Sequence, residues 1–244
     1  MKTFIMIPTY NEVMHIEKLI DSIFKYVSET NILIVDDNSP DGTAKKVKEV
    51  AQSHEGKVFL LLRKKRKGRG TAGIDGFKYA LRKGADVVVE MDADFSHHPR
   101  YLPKILKEIK NHDVVLGSRF VAGGKDKRGF TRRLITIIGN VYIKSVLGLS
   151  IRDCTSGYRA FKRKVLKKIS LNRLISSGPS IVQEILYKAD LFDYDIKEVP
   201  IIFVDRDRGI SKFGFKIMLQ GILMVLVLKF VLSDIWKEEV PLNA

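Results

Sequence analysis

The chain has 244 residues, 45% of them hydrophobic and 29% charged, which suits a folded protein with one substantial core and excludes a disordered one. A single cysteine, Cys154, excludes an internal disulfide and a multi-cysteine zinc site. The formal charge of +15 suits nucleic acid, anionic lipid, phosphorylated substrates or a plain lysine-rich surface alike, so the placement of the basic residues matters more than their number.

The first half alternates short β-branched runs with amphipathic stretches. Thr3–Ile7, Ile32–Val35, Val58–Leu62, Val87–Met91 and Val114–Leu116 read as strands buried on both faces. Glu12–Val27, Gly42–Ser53, Thr71–Arg82 and Arg100–Asn111 carry apolar residues at helical spacing. Repeated β–α units predict a largely parallel central sheet flanked by helices, with ligands at the loops after the strands' carboxyl ends. The second half is less regular. Helices are expected over Thr131–Leu147, near Arg163–Ile169 and around Ile181–Leu191, and Ile196–Val204 reads as a strand in which Pro200 hints at an edge or bulge.

Phe215–Trp236 is apolar around most of its circumference but falls short of the roughly 20 apolar residues of a membrane span. A core or oligomer-contact helix and a helix lying on a membrane both fit it. The expected organisation is one catalytic domain over 1–213 and a C-terminal apolar helix and tail over 214–244. The apolar stretch after Lys2 stops at Pro8, too short for a signal peptide, which points to the cytoplasm.

Chemistry concentrates at the expected strand ends. Asp92-Ala93-Asp94 follows Val87–Met91, and two carboxylates one residue apart on an extended segment would point the same way. Their repulsion is relieved by a divalent cation, and hard cations use one or two carboxylates together with substrate phosphates. Asp36-Asp37 ends a second strand. Pro8-Thr9-Tyr10-Asn11-Glu12 ends the first and brings a ring and a carboxylate to the same crevice. Tyr10 can pack on a base, and Glu12 or Asp37 can accept hydrogen bonds from base or ribose. For Asn11 and Asp41 helix capping is the competing role. The run Arg63–Arg69 is the densest charge block and could meet a diphosphate, anionic lipid or only solvent.

Taken in order, PTYNE, VDDNSPDGT, GRGTA, MDADFSHHP, GSRFVAGG, DCTSGYRAF and EVPIIFVDRDRGISKFG resemble the motif series of dolichol-phosphate mannose synthases. These are family-two glycosyltransferases with the nucleotide-diphospho-sugar fold called GT-A. The resemblance runs from Phe4 to Gly214. It implies that Pro8, Tyr10, Glu12 and Asp37 hold the nucleoside, and that Asp92 and Asp94 hold Mg²⁺ or Mn²⁺ and the donor diphosphate. Ser96 is a further candidate to supply an oxygen or a bound water. Arg119, Arg132 and Thr136 would meet the lipid phosphate, while Arg206 and Lys212 would grip phosphates in the closed site; Asp94, Arg119 and Arg206 are the residues expected to be catalytic. His97-His98 look like a loop-shaping element, since imidazole is the less natural ligand for a hard cation. Asp153 and Glu184 could orient acceptor or sugar, or serve as structural hydrogen-bond acceptors, and Cys154 is expected to pack as a small hydrophobe. Two segments depart from the pattern: Gly68-Arg69-Gly70 stands where relatives commonly have Gly-Leu-Gly, and Gly178–Glu184 lacks their aromatic residues.

The expected reaction is inverting transfer of mannose from GDP-mannose to dolichyl or another polyprenyl phosphate, giving a β-linked product. Glucose from UDP-glucose is the nearest substitute. A polysaccharide-extending transferase would need a general base, against which the arginine-rich acceptor motifs argue. A nucleic-acid-binding protein would explain the charge but has no use for strand-end carboxylates, so nucleic acid is not an expected partner. The expected partners are a nucleotide-sugar, a polyprenyl phosphate, the cytoplasmic face of a membrane and a small membrane-anchoring subunit.

Overall fold

In the computed structural model, which describes residues 1–54, 56–64, 68–176, 178–205 and 215–237, the first strand shows how the sheet is covered. β1 (Thr3–Thr9) buries Phe4 and Met6 in one hydrophobic cluster and Ile5 and Ile7 in another, so both faces are packed. β2 (Asn31–Asp36), β3 (Val58–Leu62) and β4 (Val87–Glu90) join it in parallel. With β5 (Val114–Ser118), β7 (Arg159–Lys162) and β8 (Ile196–Pro200) the order is β3-β2-β1-β4-β7-β5-β8. A two-stranded ribbon pairs β6 (Lys125–Asp126) with β9 (Ile202–Phe203).

Helices α1 (Ile16–Tyr26), α2 (Thr43–Gln52) and α4 (Leu102–Glu108) cover the face of Ile5 and Ile7. The opposite face carries α3 (Arg69–Arg82), α5 (Phe130–Leu147), α6 (Arg163–Lys168) and α7 (Ile181–Leu191). On α1 the stripe Ile16, Leu19, Ile20 and Ile23 is fully buried, as its spacing predicts. α3 lies close to the sheet because Gly76 has no side chain: a Cβ there would stand 2.7 Å from Met6 and 2.9 Å from Val35.

The largely parallel α/β sheet expected from the sequence is present, with four corrections. First, β7 lies antiparallel between β4 and β5 and was not expected as a strand. Its core position includes Arg159, a residue that pattern reading does not place in a buried strand. Second, the helix expected from Glu12 starts at Ile16. The Glu12 N–H donates to Thr43 Oγ1 and the Val13 N–H to Asp41, which pins residues 12–15 as a turn against the next loop. Third, the helix expected over Arg100–Asn111 is shorter, a 3₁₀ turn at Pro99–Tyr101 leading into α4. Fourth, the strand expected over Ile196–Val204 divides at Ile201, whose N–H bonds the Ser118 carbonyl; β8 is the sheet edge, and Pro200 ends it.

At the C-terminal end, α8 (Phe215–Val227), a π-helical turn (Leu228–Leu232) and α9 (Ser233–Lys237) form one continuous apolar segment. Val225, Leu228 and Trp236 are buried in the core, and the Tyr187 hydroxyl lies 3.1 Å from Ser233 Oγ. Among the described residues no helix is long and apolar enough to cross a membrane.

Candidate active site

Strand direction brings the sequence motifs to one edge of the sheet. β1, β2 and β4 are adjacent and parallel, so Pro8–Glu12, Asp36-Asp37 and Asp92-Ala93-Asp94 emerge side by side at their carboxyl ends. β5 points the same way and delivers Arg119 two places along. β7 runs in the opposite direction, so it is the loop before it, Asp153–Gly157, that reaches this edge. That explains why one motif precedes its strand while the others follow theirs.

The Asp92–Asp94 segment differs from the extended geometry expected of it. β4 ends at Glu90, Phe95 adopts a positive φ of 60°, and Asp94 Oδ1 accepts hydrogen bonds from the Ser96 N–H at 3.2 Å and Ser96 Oγ at 2.6 Å. Ser96, buried, therefore orients Asp94. His97 is almost fully buried, and its Nδ1 accepts the Asp92 N–H at 3.0 Å while its ring stacks on Tyr158. Burial is the largest influence on its pKa and holds it below the usual histidine value, against the raising effect of Asp92 and Asp94. A neutral ring with Nδ1 engaged is a support for the loop, as the sequence suggested.

Arg69, the first residue of α3, was not singled out as a site residue. Its Nη2 lies 2.7 Å from Asp92 Oδ1 and its Nη1 3.5 Å from Glu90 Oε1. Burial would lower its pKa, but the Asp92 and Glu90 carboxylates outweigh this and raise it. Glu90, in turn, is ion-paired in the core with Arg159, whose Nη1 donates to the Val182 carbonyl at 3.0 Å. Two sequence signals touched Arg69, the charge block Arg63–Arg69 and the departure at Gly68-Arg69-Gly70, but neither singled it out from its neighbours.

The basic run resolves partly into structure. Arg63 is buried, 2.8 Å from Asp37 Oδ1, and donates to Thr71 Oγ1 at 2.7 Å; Asp37 Oδ2 accepts the Gly68 N–H. Asp37 thus ties β2 to the start of α3, a role beside the nucleoside contact expected of it. Lys65, Arg66 and Lys67 lie outside the described residues. Asp36 is likewise internal, accepting from Thr9 Oγ1, Ser39 Oγ and the Ser39 N–H. Pro8 and Tyr10 are half-buried at the crevice, and Glu12 Oε2 is 3.1 Å from His15 Nδ1. Asp41 accepts the Thr43 N–H and hydroxyl but stands one residue before the N-cap of α2, which is Gly42, and Asn11 takes a positive φ of 63° and caps no helix.

Arg119, expected at an acceptor phosphate, grips Asp153 with two parallel hydrogen bonds of 2.8 and 2.6 Å, and its own N–H bonds the same carboxylate. Its guanidinium also lies 5.2 Å from the Phe203 ring. Arg132 faces Asp205 at 2.8 Å and is half exposed, and Thr136 Oγ1 bonds Arg128 Nη2 at 2.7 Å. Asp153 and Glu184 both act structurally: Glu184, fully buried, accepts the N–H groups of Ile175 and Ser176. Arg206 and Lys212 lie outside the described residues.

Whether a cation fits can be judged from the donor chemistry. Among the described residues no three His, Cys, Asp or Glu side chains gather as a ready-made metal cage. The Asp92 and Asp94 carboxylates offer only hard oxygens, too few to hold an ion alone. They suit an ion such as Mg²⁺ or Mn²⁺ that keeps waters and takes its remaining ligands from a substrate's phosphates.

Known proteins resemble this chain in sequence and in fold. Residues 4–170 match the family model described as glycosyl transferase family 2. The chain is 37% identical over 238 residues to an undecaprenyl-phosphate mannosyltransferase of Micrococcus luteus, covering 97% of each chain. It is 38% identical to a dolichol-phosphate mannosyltransferase of Pyrococcus furiosus over 88% of this chain and 60% of that protein. In fold it resembles a solved structure of glucosyl-3-phosphoglycerate synthase from Mycobacterium tuberculosis, determined with Mn²⁺ and UDP. The TM-score is 0.69 at 19% identity, over 93% of this chain and 79% of that one. The chain is a member of glycosyltransferase family 2.

Proposed function

We propose that this enzyme transfers mannose from GDP-mannose to a polyprenyl phosphate such as dolichyl phosphate, with inversion, giving a β-linked polyprenyl phosphate mannose. The observation that carries the reading is the 37% identity to an undecaprenyl-phosphate mannosyltransferase over 97% of both chains. The convergence of the strand-end carboxylates on one crevice supports it chemically. Pro8, Tyr10, Glu12 and Asp37 would hold the nucleoside at the ends of β1 and β2.

Asp92 and Asp94, the latter held by Ser96, would bind Mg²⁺ or Mn²⁺ between them and the donor diphosphate. When bound, the ion neutralises charge developing on the departing nucleoside diphosphate. The acceptor, a phosphate monoester, is already ionised near neutral pH, so no strong general base is needed. The chain's own task is to bring two anions together. Arg132 and Thr136 on α5 would receive the acceptor phosphate, with Arg206 and Lys212 expected at the phosphates of the closed site. Arg119, committed to Asp153, would contribute by charge and by fixing the loop before β7. Attack from the face opposite the leaving group inverts the anomeric centre.

Polyprenyl phosphates are membrane lipids, and the exposed side of α5, α8 and the π-helical turn after α8 is suited to a membrane surface. Phe130 is 70% exposed, Ile138 59% and Phe230 74%, and the two helices touch, the Tyr142 hydroxyl donating to the Ile222 carbonyl. We place this face against the cytoplasmic leaflet, with Arg132 and Arg133 toward its head groups; a small membrane-anchoring subunit would be received on the same side.

The test is transfer of label from a panel of nucleotide-sugars, GDP-mannose and UDP-glucose included, into the organic phase by purified protein with polyprenyl phosphate and either metal. Metal-dependent transfer from GDP-mannose is expected. Hydrolysis alone, or transfer only to a sugar hydroxyl, would refute the lipid-carrier reading.

A further inference from the structure

Arg69 sits where the proposed reading needs a cation to arrive. Its guanidinium is 2.7 Å from Asp92 Oδ1, inside the range of a charge-assisted hydrogen bond. The seat is shaped for it. A Cβ on Gly157 would stand 2.7 Å from Arg69 Nη2 and 3.2 Å from His97, so the bare backbone of Gly157 is what lets the guanidinium lie there. Asp92 is held from the other side by the bond from its N–H to His97. The guanidinium also has a second anchor. Glu90 Oε1, buried, makes no hydrogen bond among the described residues, and Arg69 Nη1 is 3.5 Å away.

We propose that Arg69 is a resident counter-cation of Asp92 that couples metal binding to nucleotide binding. This rests on the donor-site reading above. A divalent ion approaching alone meets a fixed positive charge already paired with one of its two carboxylates, and so binds weakly. When a nucleoside diphosphate arrives with the ion, its negative charge repays the loss of that pair. Arg69 then turns toward Glu90 and the phosphates, where its charge stays compensated. Arg69 is therefore a positioning residue, and its effect is on the order and cooperativity of ligand binding.

The test is Mn²⁺ binding, measured by calorimetry or by the spin-resonance signal of free Mn²⁺, with and without GDP. The proteins are wild type, Arg69→Met, Arg69→Lys and Gly157→Ala, each checked for an unchanged melting transition. Wild type should bind Mn²⁺ at least roughly tenfold more tightly with GDP present, a coupling within the ordinary range between two sites. Arg69→Met should tighten Mn²⁺ binding in the absence of GDP by about tenfold and shrink the coupling in proportion. Arg69→Lys should retain most of the coupling because it retains the charge. Gly157→Ala, which displaces the guanidinium without removing it, should behave like Arg69→Met and keeps the proposal open to refutation if that variant does not fold. Unchanged or weaker Mn²⁺ binding without GDP in the folded variants would overturn the coupling role while leaving the donor site standing. If Asp92→Asn bound Mn²⁺ with GDP as tightly as wild type, both the donor-site reading and this inference would fail.

Discussion

Arg119 and Asp153, 34 positions apart in sequence, are joined by three hydrogen bonds: two from the Arg119 side chain and one from its own backbone N–H. Both side chains are buried, and the pair ties the end of β5 to the loop that feeds β7. Asp153→Ala would leave the guanidinium buried without its main counter-charge, a change that costs about 3–5 kcal/mol. Arg119→Lys would keep the charge but lose the two-pronged geometry, and should lower stability by less. Urea melts of the two variants measure the difference. Equal stability of Asp153→Ala and wild type would show that the pair is not a structural clamp.

The neighbouring Asp126 gives a pH dependence. Burial would raise its pKa, but hydrogen bonds and charge from Arg128, helped by Arg119, hold it below the usual carboxylate value. A carboxylate with a depressed folded pKa contributes stability that is fully present above its unfolded value, about 3.9, and is lost as the pH falls through the folded value. Asp126→Asn should therefore be less stable than wild type at pH 7, with the gap closing below about pH 4. A gap that stayed constant across that window would contradict the assignment.

Cys154 is fully buried and its N–H bonds Asn140 Oδ1 at 2.7 Å. Burial first, with Asp153 and Glu198 adding to it, pushes the thiol pKa up to about 12. Since the thiolate is the reactive form, the native protein should resist alkylation by iodoacetamide at pH 8 and react once unfolded in urea. Rapid labelling of the native protein would show that the loop before β7 opens.

For the proposed membrane face, Phe130→Ser combined with Ile138→Ser should weaken binding to anionic vesicles without changing the melting temperature, because both side chains already lie in solvent. Co-sedimentation with vesicles of phosphatidylglycerol and phosphatidylcholine measures this. Undiminished binding would mean that another surface meets the lipid.

Much of this molecule was legible in its sequence because buried parallel strands announce themselves. Ile5–Ile7, Ile32–Val35 and Val87–Val89 are apolar on both faces, and their order fixed where Pro8–Glu12, Asp37 and Asp92–Asp94 emerge. That these three acidic segments share one edge followed from strand direction; that they emerge side by side depends on the order β2-β1-β4, which only the fold shows. β7 escaped because it has a charged residue in the core: Arg159 is held there by Glu90 and the Val182 carbonyl, partners 69 and 23 positions away that local periodicity cannot reveal. The extended geometry expected for Asp92–Asp94 failed for a similar reason, since the bond from Ser96 Oγ to Asp94 and that from the Asp92 N–H to His97 bend the segment after Glu90. Arg63 and Arg119 read as cations awaiting a ligand, yet each is engaged by a carboxylate, Asp37 or Asp153, brought by a distant loop. Composition shows how many basic residues there are; only the fold shows which of them are already paired.

The central claim is best tested by isolating the product of a reaction containing GDP-mannose, dolichyl phosphate and Mg²⁺ or Mn²⁺ and determining its linkage by mass spectrometry and NMR. The account predicts dolichyl phosphate mannose with a β-anomeric configuration. It also predicts that the product is absent with EDTA and absent with a folded Asp94→Ala protein. An α-linked product, or full activity of Asp94→Ala, would contradict it.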